Sequence, residues 1–301
     1  MHLLAPCRDL DTARRVLDAG ADRIYLGLST CGLVHLNLSG RGDAANVRDT
    51  NELRHIVELA HSRGAQVEYA VNTPLLTDEL EKMYAGHVLR GVECGVDGLI
   101  VADWGAFEVI RDLGVGLPLT ASVLLNTLNS AQAMLLRVLG ASRVVAPFHI
   151  TVAELASLHS AGLQVEAFCA LGCSHVNGTC HIFHSIGESL PLGLPCRANY
   201  RVSPGGRVRP LLDAGQDCSL CSLAELRDAG LFALKVIGRD LPADFVAFMV
   251  ETYRSAIDLL ERGASADELR RLAVERSPMW EVLCETGRCK YRDTNISRAY
   301  V

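Results

Sequence analysis

The chain has 301 residues, enough to bury a large core as one barrel-sized domain or as two ordinary ones. A formal net charge of −6 supplies no basic face of the kind nucleic acid requires, which disfavours such a partner on composition, local basic patches aside. Eleven cysteines, an odd number, argue against a fully paired disulfide framework and for thiols that hold metal or do redox chemistry.

The opening stretch MHLLAPCRDLDTARR lacks a basic region followed by a long apolar run and a small-residue cleavage site. No apolar run reaches the roughly 18 residues that a membrane span needs. The expectation is a cytoplasmic protein with no membrane span.

In chain order, β-rich runs fall at HLLAP (2–6), RIYLGL (23–28), QVEYAVN (66–72), GLIVA (98–102), LPLTASV (117–123), RVVAP (143–147), QVEAFC (164–169) and ALKVIG (233–238). Between most of them lies one stretch with apolar residues at helical spacing, such as NELRHIVELAHSRG (51–64), closed by a glycine. The joints DAGADRIYLG, ECGVDGLIVA and VLGASRVVAP repeat one helix-to-strand form. Strict alternation of eight units predicts an α/β fold, a (β/α)8 TIM-like barrel, with an open doubly wound sheet as the alternative. Barrel enzymes place their chemistry at the C-terminal ends of the strands. Here those positions hold Cys7, Asn72, Asp103, Asn126, Phe148, His149 and Cys169, with Cys31 just beyond strand 2. Cys94 is expected to be a small core residue on the apolar face of a helix.

The connection from strand 7 to strand 8, residues 170–232, is about twice the length a βα unit needs. It leaves from the catalytic face and carries Cys173, Cys180, Cys196, Cys218 and Cys221. Beyond strand 8, residues 240–263 form a long helix with Asp240 as its expected N-cap, and residues 265–277 start with a Ser-x-x-Glu capping box. This divides the chain into a barrel over 1–263, which includes the insertion, and a helical extension and tail over 264–301. The tail pair Cys284-x4-Cys289 reads as ordinary thiols, a disulfide, a partner interface or a cap on the barrel.

Gathered thiolates favour zinc or an iron–sulfur cluster over hard cations. Close pairs mark structural zinc, and only Cys218-x2-Cys221 has that form within the insertion. The pattern Cys173-x6-Cys180-x15-Cys196-x24-Cys221 has wide gaps of the kind that iron–sulfur sites tolerate. Spacing alone leaves iron–sulfur, zinc and unligated thiols open.

The string EAFCALGCSHVNGTC (166–180) resembles the signature of the peptidase U32 (collagenase-like) family. The words PCRANYRV, CSLAEL and GLFALKVIGRD follow in the family's order, and LLAPCRDLDTARRVLDAGADRIYLG, VNTPLL, GVDGLIVAD, LPLTASVLLNTLNSA and LGASRVVAP extend the resemblance through the N-terminal half. Two departures stand out. Glu166 to Cys173 is one residue shorter than the family form, and PFHIT (147–151) replaces its Arg-Glu-Leu word.

The resemblance implies a barrel carrying a 4Fe-4S cluster on Cys173, Cys180, Cys196 and Cys221. Cys218 is a neighbouring substitute for Cys221, and Cys31 matches a variant branch that draws a ligand from just after strand 2. It also implies oxygen-independent hydroxylation, with prephenate as oxygen donor, of a quinone precursor, another small aromatic or secondary metabolite, or an RNA base. Chain length and acidity favour the small molecule over RNA. The short relatives pair with a paralogue, so a heterodimer with a second U32 chain, or a non-catalytic cluster-bearing partner role, belongs to the same expectation. Candidate substrate contacts are Tyr25, Asn72, Asp103, Asn126 and Arg197, each of the first four equally suited to capping or closing a βα loop, and Arg197 also to tuning the cluster by charge.

The family name also suggests proteolysis. A cysteine peptidase would need Cys169 or Cys173 beside His175, His181 or His184. A zinc peptidase would need His-Glu-x-x-His, which is absent from the sequence. Thiols sequestered by iron leave no nucleophile in this segment, so peptidase activity is the disfavoured outcome.

Overall fold

Runs dense in Val, Ile, Leu and Ala, each too short for a helix, form the eight strands of a closed parallel barrel with neighbours in sequence order. The strands are β1 (His2–Pro6), β2 (Arg23–Leu26), β3 (Gln66–Val71), β4 (Gly98–Val101), β5 (Leu119–Ala121), β6 (Ala141–Val145), β7 (Gln164–Ala170) and β8 (Leu231–Val236). The structure is a computed structural model that describes residues 1–29, 43–73, 76–170, 199–201, 203, 205–206, 217–286 and 289–291.

Around the barrel lie α1 (Leu10–Asp18), α2 (Thr50–Ser62), α3 (Glu81–Glu93), α4 (Trp104–Asp112), α5 (Ser130–Val138), α6 (Val152–Ser160) and α7 (Leu223–Asp228). Polar side chains set their starts. Asp9, Asp49, Asp103 and Asn129 accept from backbone N–H groups of the first turn, and Thr151 closes a reciprocal capping box with Glu154. Gly20 and Gly140, from the repeated joints, take φ of +96° and +100° after α1 and α5, a left-handed exit that favours glycine.

Period-two alternation divides each strand between two environments. In β2, Ile24 and Leu26 join the large core between barrel and helices. Arg23 and Tyr25 take the other face, where Tyr25 clusters with Leu4, Ala70 and Ile100 of neighbouring strands. This inner face carries the buried charges Arg23, Glu68, Arg143, Glu166 and Lys235.

Four details differ from the sequence-predicted elements, the last of them an additional helix. Strand 8 starts at Leu231, directly after α7, so a short helix closes the long connection. The long helix α8 (Ala243–Glu261) starts at Pro242 with no side-chain cap; Asp240 stands too far upstream to fill that role. Cys94 is buried as expected but sits at the C-cap of α3. The capping box of Ser265 and Glu268 is present and opens α9 (Ala266–Arg276). A further helix, α10 (Pro278–Glu285), follows with Ser277 as N-cap and Pro278 in its first turn. It buries Trp280 edge-on against Tyr253 of α8, ring centroids 6.1 Å apart, and so ties the extension to the barrel. Among the described residues no helix is long and apolar enough to cross a membrane.

Candidate active site

The C-terminal half of the barrel interior is built around Tyr25. Its hydroxyl donates to the carbonyl of Val236 at 3.0 Å, which fixes the ring between β2 and β8. Lys235 Nζ lies 4.4 Å from the ring centroid and donates to Glu166 Oε2 at 3.3 Å. The Arg239 guanidinium, three residues beyond β8, approaches the same ring at 5.8 Å and donates to Asn46 Oδ1 at 3.3 Å. All five side chains are buried. Burial pushes the Lys235 ammonium below its ordinary range, with Glu166 opposing that shift. Gly27 makes room for the arrangement, since a Cβ there would lie 2.8 Å from Arg239 Nη1 and closer still to Asn46 Oδ1.

Deeper in the barrel, Glu68 accepts from Arg143 at 2.8 Å and from Arg23. Desolvation, then the Arg143 charge, brings Arg23 down to about 10. This Arg–Glu–Arg triad lies towards the strand starts, where an open cavity of about 820 Å³ is lined by Arg23, Asp97, Arg143 and Phe232. That end of a barrel serves stability, and reaction sites lie at the opposite face.

Asn72 continues the inward series of Glu68 and Ala70, and its buried Oδ1 has no hydrogen-bond partner. Asn126 ends a short 3-10 turn after β5 in the left-handed region at φ 49°, again with an unpartnered buried Oδ1. Such orphaned acceptors at the strand ends are what a hydrogen-bond donor on a ligand would satisfy. Asp103 is engaged differently. Its Oδ1 accepts from Gly105 N at 2.7 Å and Ala106 N at 3.2 Å as the N-cap of α4. The structure therefore brings Tyr25 and Asn72 to the inner face and places Asp103 as a helix cap. Arg197, Cys31, Cys173, Cys180, Cys196, His175, His181 and His184 lie outside the described residues.

The insertion begins and ends at one place. Ala170, the last residue of β7, forms an antiparallel bridge with Cys218. Cys221 follows that bridge by three residues. Cys221 is half-buried in the turn before α7. Cys169 is fully buried at the end of β7, and desolvation pushes its thiol well above the ordinary range. Burial acts the same way on Cys7, which leaves both thiols protonated and unactivated.

The tail crosses the same face. Cys289 forms a parallel bridge with Cys218, and Lys290 N donates to Cys218 O at 2.7 Å. Lys290 Nζ donates to the carbonyl of Phe148 and stands 3.3 Å from that ring's centroid. Tyr291, left-handed at φ 72°, donates its hydroxyl to Phe168 O at 2.7 Å. Sequence reasoning missed Lys235, Arg239, Asn46 and Lys290. The charged residues in ALKVIGRD, a segment otherwise suited to a buried strand, were the available signal for the first two.

Residues 8–283 match the family described as Peptidase family U32. The chain belongs to that family. It is 30% identical over 280 residues to a 23S rRNA 5-hydroxycytidine synthase of Escherichia coli, a match that covers 87% of this chain and 40% of the relative. It is 28% identical to an uncharacterized protease of Methanocaldococcus jannaschii (98% of this chain, 74% of the relative). Identity to the tRNA hydroxylation protein P of Helicobacter pylori is 23%, over 86% of this chain and 64% of the relative. The U32 match thus spans well under half of the rRNA-modifying relative and about two thirds of the tRNA hydroxylation protein. A solved U32 peptidase structure shares the barrel at a TM-score of 0.50 and 16% identity, covering 80% of this chain and 94% of that one.

Proposed function

We propose that this U32 chain is an oxygen-independent hydroxylase with a 4Fe-4S cluster, acting on an anionic aromatic substrate. The observation that carries the substrate class is the Tyr25 ring flanked by the buried cations Lys235 and Arg239 at the strand ends. Hydroxylation as the reaction class rests on kinship with the rRNA and tRNA hydroxylation proteins. A cysteine peptidase needs a thiol with a lowered pKa beside a base. Among the described thiols with a resolved shift, Cys7, Cys94, Cys169 and Cys218 all move the other way.

Cys173, Cys180 and Cys196 would hold the cluster, with the fourth thiolate from Cys221 by the family pattern, from its neighbour Cys218, or from Cys31 by the variant branch. A set of soft thiolates suits iron, and the bridge from Ala170 to Cys218 brings the chain just before Cys221 to the end of β7. The cluster, when bound, supplies electron transfer. The chain's own residues do the rest. Arg239 and Lys235 would neutralise a substrate carboxylate, as prephenate carries, while the Tyr25 ring packs against them and Asn72 Oδ1 accepts from a substrate hydroxyl. Glu166 holds Lys235 in place through its hydrogen bond.

The rRNA relative favours a second substrate, an RNA base. Anaerobic assays of the purified chain, alone and with a paralogous U32 chain, against prephenate plus small aromatics and against unmodified RNA test the proposal. Mass spectrometry should show a hydroxylated small aromatic. Hydroxylated RNA alone would replace the substrate class, and peptide cleavage blocked by thiol alkylation would overturn the reaction class.

A further inference from the structure

Arginine carries nearly all of this chain's positive charge. Of its 29 Lys and Arg residues only Lys82, Lys235 and Lys290 are lysines. Lys82 is exposed on α3, and Lys290 donates to the carbonyl of Phe148. Lys235 stands on the inner face near the end of β8, in register with Leu4 of β1 and Phe168 of β7. A guanidinium would serve there if a fixed charge were all the position required, as Arg23 and Arg143 do lower in the barrel. Lysine differs in having an amine that can shed its proton and act as a nucleophile.

The surroundings favour that loss. Among the described barrel residues, the buried cations Arg23, Arg143, Lys235 and Arg239 stand against two buried carboxylates, Glu68 and Glu166. Burial lowers the Lys235 ammonium; Glu166 opposes the shift, and the Arg239 and Arg143 charges add to it. Glu166 accepts from Nζ through Oε2 at 3.3 Å, while its buried Oε1 has no hydrogen-bond partner. One carboxyl group is thus placed to take a proton from Nζ and to return it to a leaving oxygen. Lys235 Nζ and the Arg239 guanidinium lie 4.4 and 5.8 Å from the centroid of one ring, that of Tyr25, so a single small substrate spans both. A carboxylate held by Arg239 sets the carbon next to it against the amine.

We propose that Lys235 is a catalytic nucleophile that forms a Schiff base with a 2-oxo acid held by Arg239. The inference rests on the anionic substrate site proposed above, and prephenate carries a 2-oxo acid in its side chain. In the step, Lys235 Nζ passes a proton to Glu166, and the neutral amine bonds to the carbonyl carbon. The carbonyl oxygen then takes a proton from the nitrogen to give a carbinolamine. Glu166 protonates that hydroxyl, the C–O bond breaks, and water leaves behind a protonated imine. One water is released for each imine formed, and no oxidant or reductant enters. The protonated imine draws electrons from the neighbouring carbons more strongly than the ketone does, which is what the covalent bond supplies to later chemistry.

The test treats the full chain, purified anaerobically, with pyruvate or phenylpyruvate and sodium cyanoborohydride, which reduces an imine to a stable secondary amine. Intact mass should show one adduct per chain, and peptide mapping of the wild type should place it on Lys235. Phenylpropionate, which has the carboxylate but no carbonyl, should give no adduct and should slow trapping of the oxo acid. Lys235→Arg keeps a cation in the barrel and should abolish the adduct with circular dichroism unchanged. Arg239→Gln should need at least about tenfold more oxo acid for the same yield. Glu166→Gln should slow trapping about a hundredfold. No adduct at saturating oxo acid, or an adduct spread over Lys82, Lys290 and the terminal amine, overturns the proposal. Hydroxylation by a chain that never traps an oxo acid also overturns it and leaves the hydroxylase reading standing. Trapping at Lys235 in a chain that cannot hold iron supports the Schiff base and refutes the cluster.

Discussion

Lys235 holds its ammonium 4.4 Å from the centroid of the Tyr25 ring, inside a parallel barrel and within hydrogen-bond reach of Glu166. Removing one member of a buried ion pair leaves the other charge uncompensated, at a cost of about 3–5 kcal/mol. Lys235→Met is expected to lose about that much in urea unfolding. The double variant Lys235→Met/Glu166→Met should recover most of it, and a double loss equal to the sum of the two single losses would show that the pair does not interact.

Arg239 reaches the Tyr25 ring from outside β8 and is held there by Asn46, 193 residues away in sequence. Arg239→Gln should weaken binding of prephenate by tenfold or more in calorimetric titration, about 1.4 kcal/mol. Circular dichroism is expected to remain unchanged. Unaltered binding in a folded variant removes Arg239 from the substrate site.

The triad deeper in the barrel predicts a purely structural effect. Glu68→Gln leaves the Arg23 and Arg143 guanidinium groups buried against one another. A loss of about 3–5 kcal/mol is expected, with metal content unaffected. Measured stability within 1 kcal/mol of wild type, as about one ordinary hydrogen bond would give, contradicts the assigned role.

His87 is buried on α3 beside the Tyr69 hydroxyl, 3.0 Å from Nδ1, and desolvation lowers it to about 4. The unfolded chain takes up that proton near pH 6.5, so stability is fully present above 6.5 and falls as pH drops towards 4. The loss amounts to about 3 kcal/mol when complete. His87→Gln should flatten this part of the stability profile, and an unchanged slope between pH 6.5 and 4 would assign it to other groups.

The barrel was legible because each unit announces itself locally, through an apolar run, a polar N-cap such as Asp49 or Thr151, and a glycine stop. The inner charges were harder to read. Strands buried on both faces show little alternation, so nothing local marks Glu68 or Lys235 as facing the interior. Tyr25 is legible as a polar residue within strand 2 and Asn72 from its position at a strand end, and the same reasoning picks out Asp103, whose carboxylate is spent on a helix cap. Asn46 and Lys290 carry no local signal, because only the closed fold brings them to Arg239 and Phe148. Helix α10 escaped notice because its start rests on Ser277 and Pro278 alone, after a helix already ended.

We propose that this U32 chain works through a cysteine-bound iron–sulfur cluster at the strand ends of its barrel. Anaerobic iron and acid-labile sulfide analysis of the purified chain, with its visible absorbance, tests it most directly. A brown protein with about four iron and four sulfide per chain is expected, both lost in Cys173→Ala and Cys180→Ala. A colourless, iron-free protein after anaerobic reconstitution with iron and sulfide would contradict it.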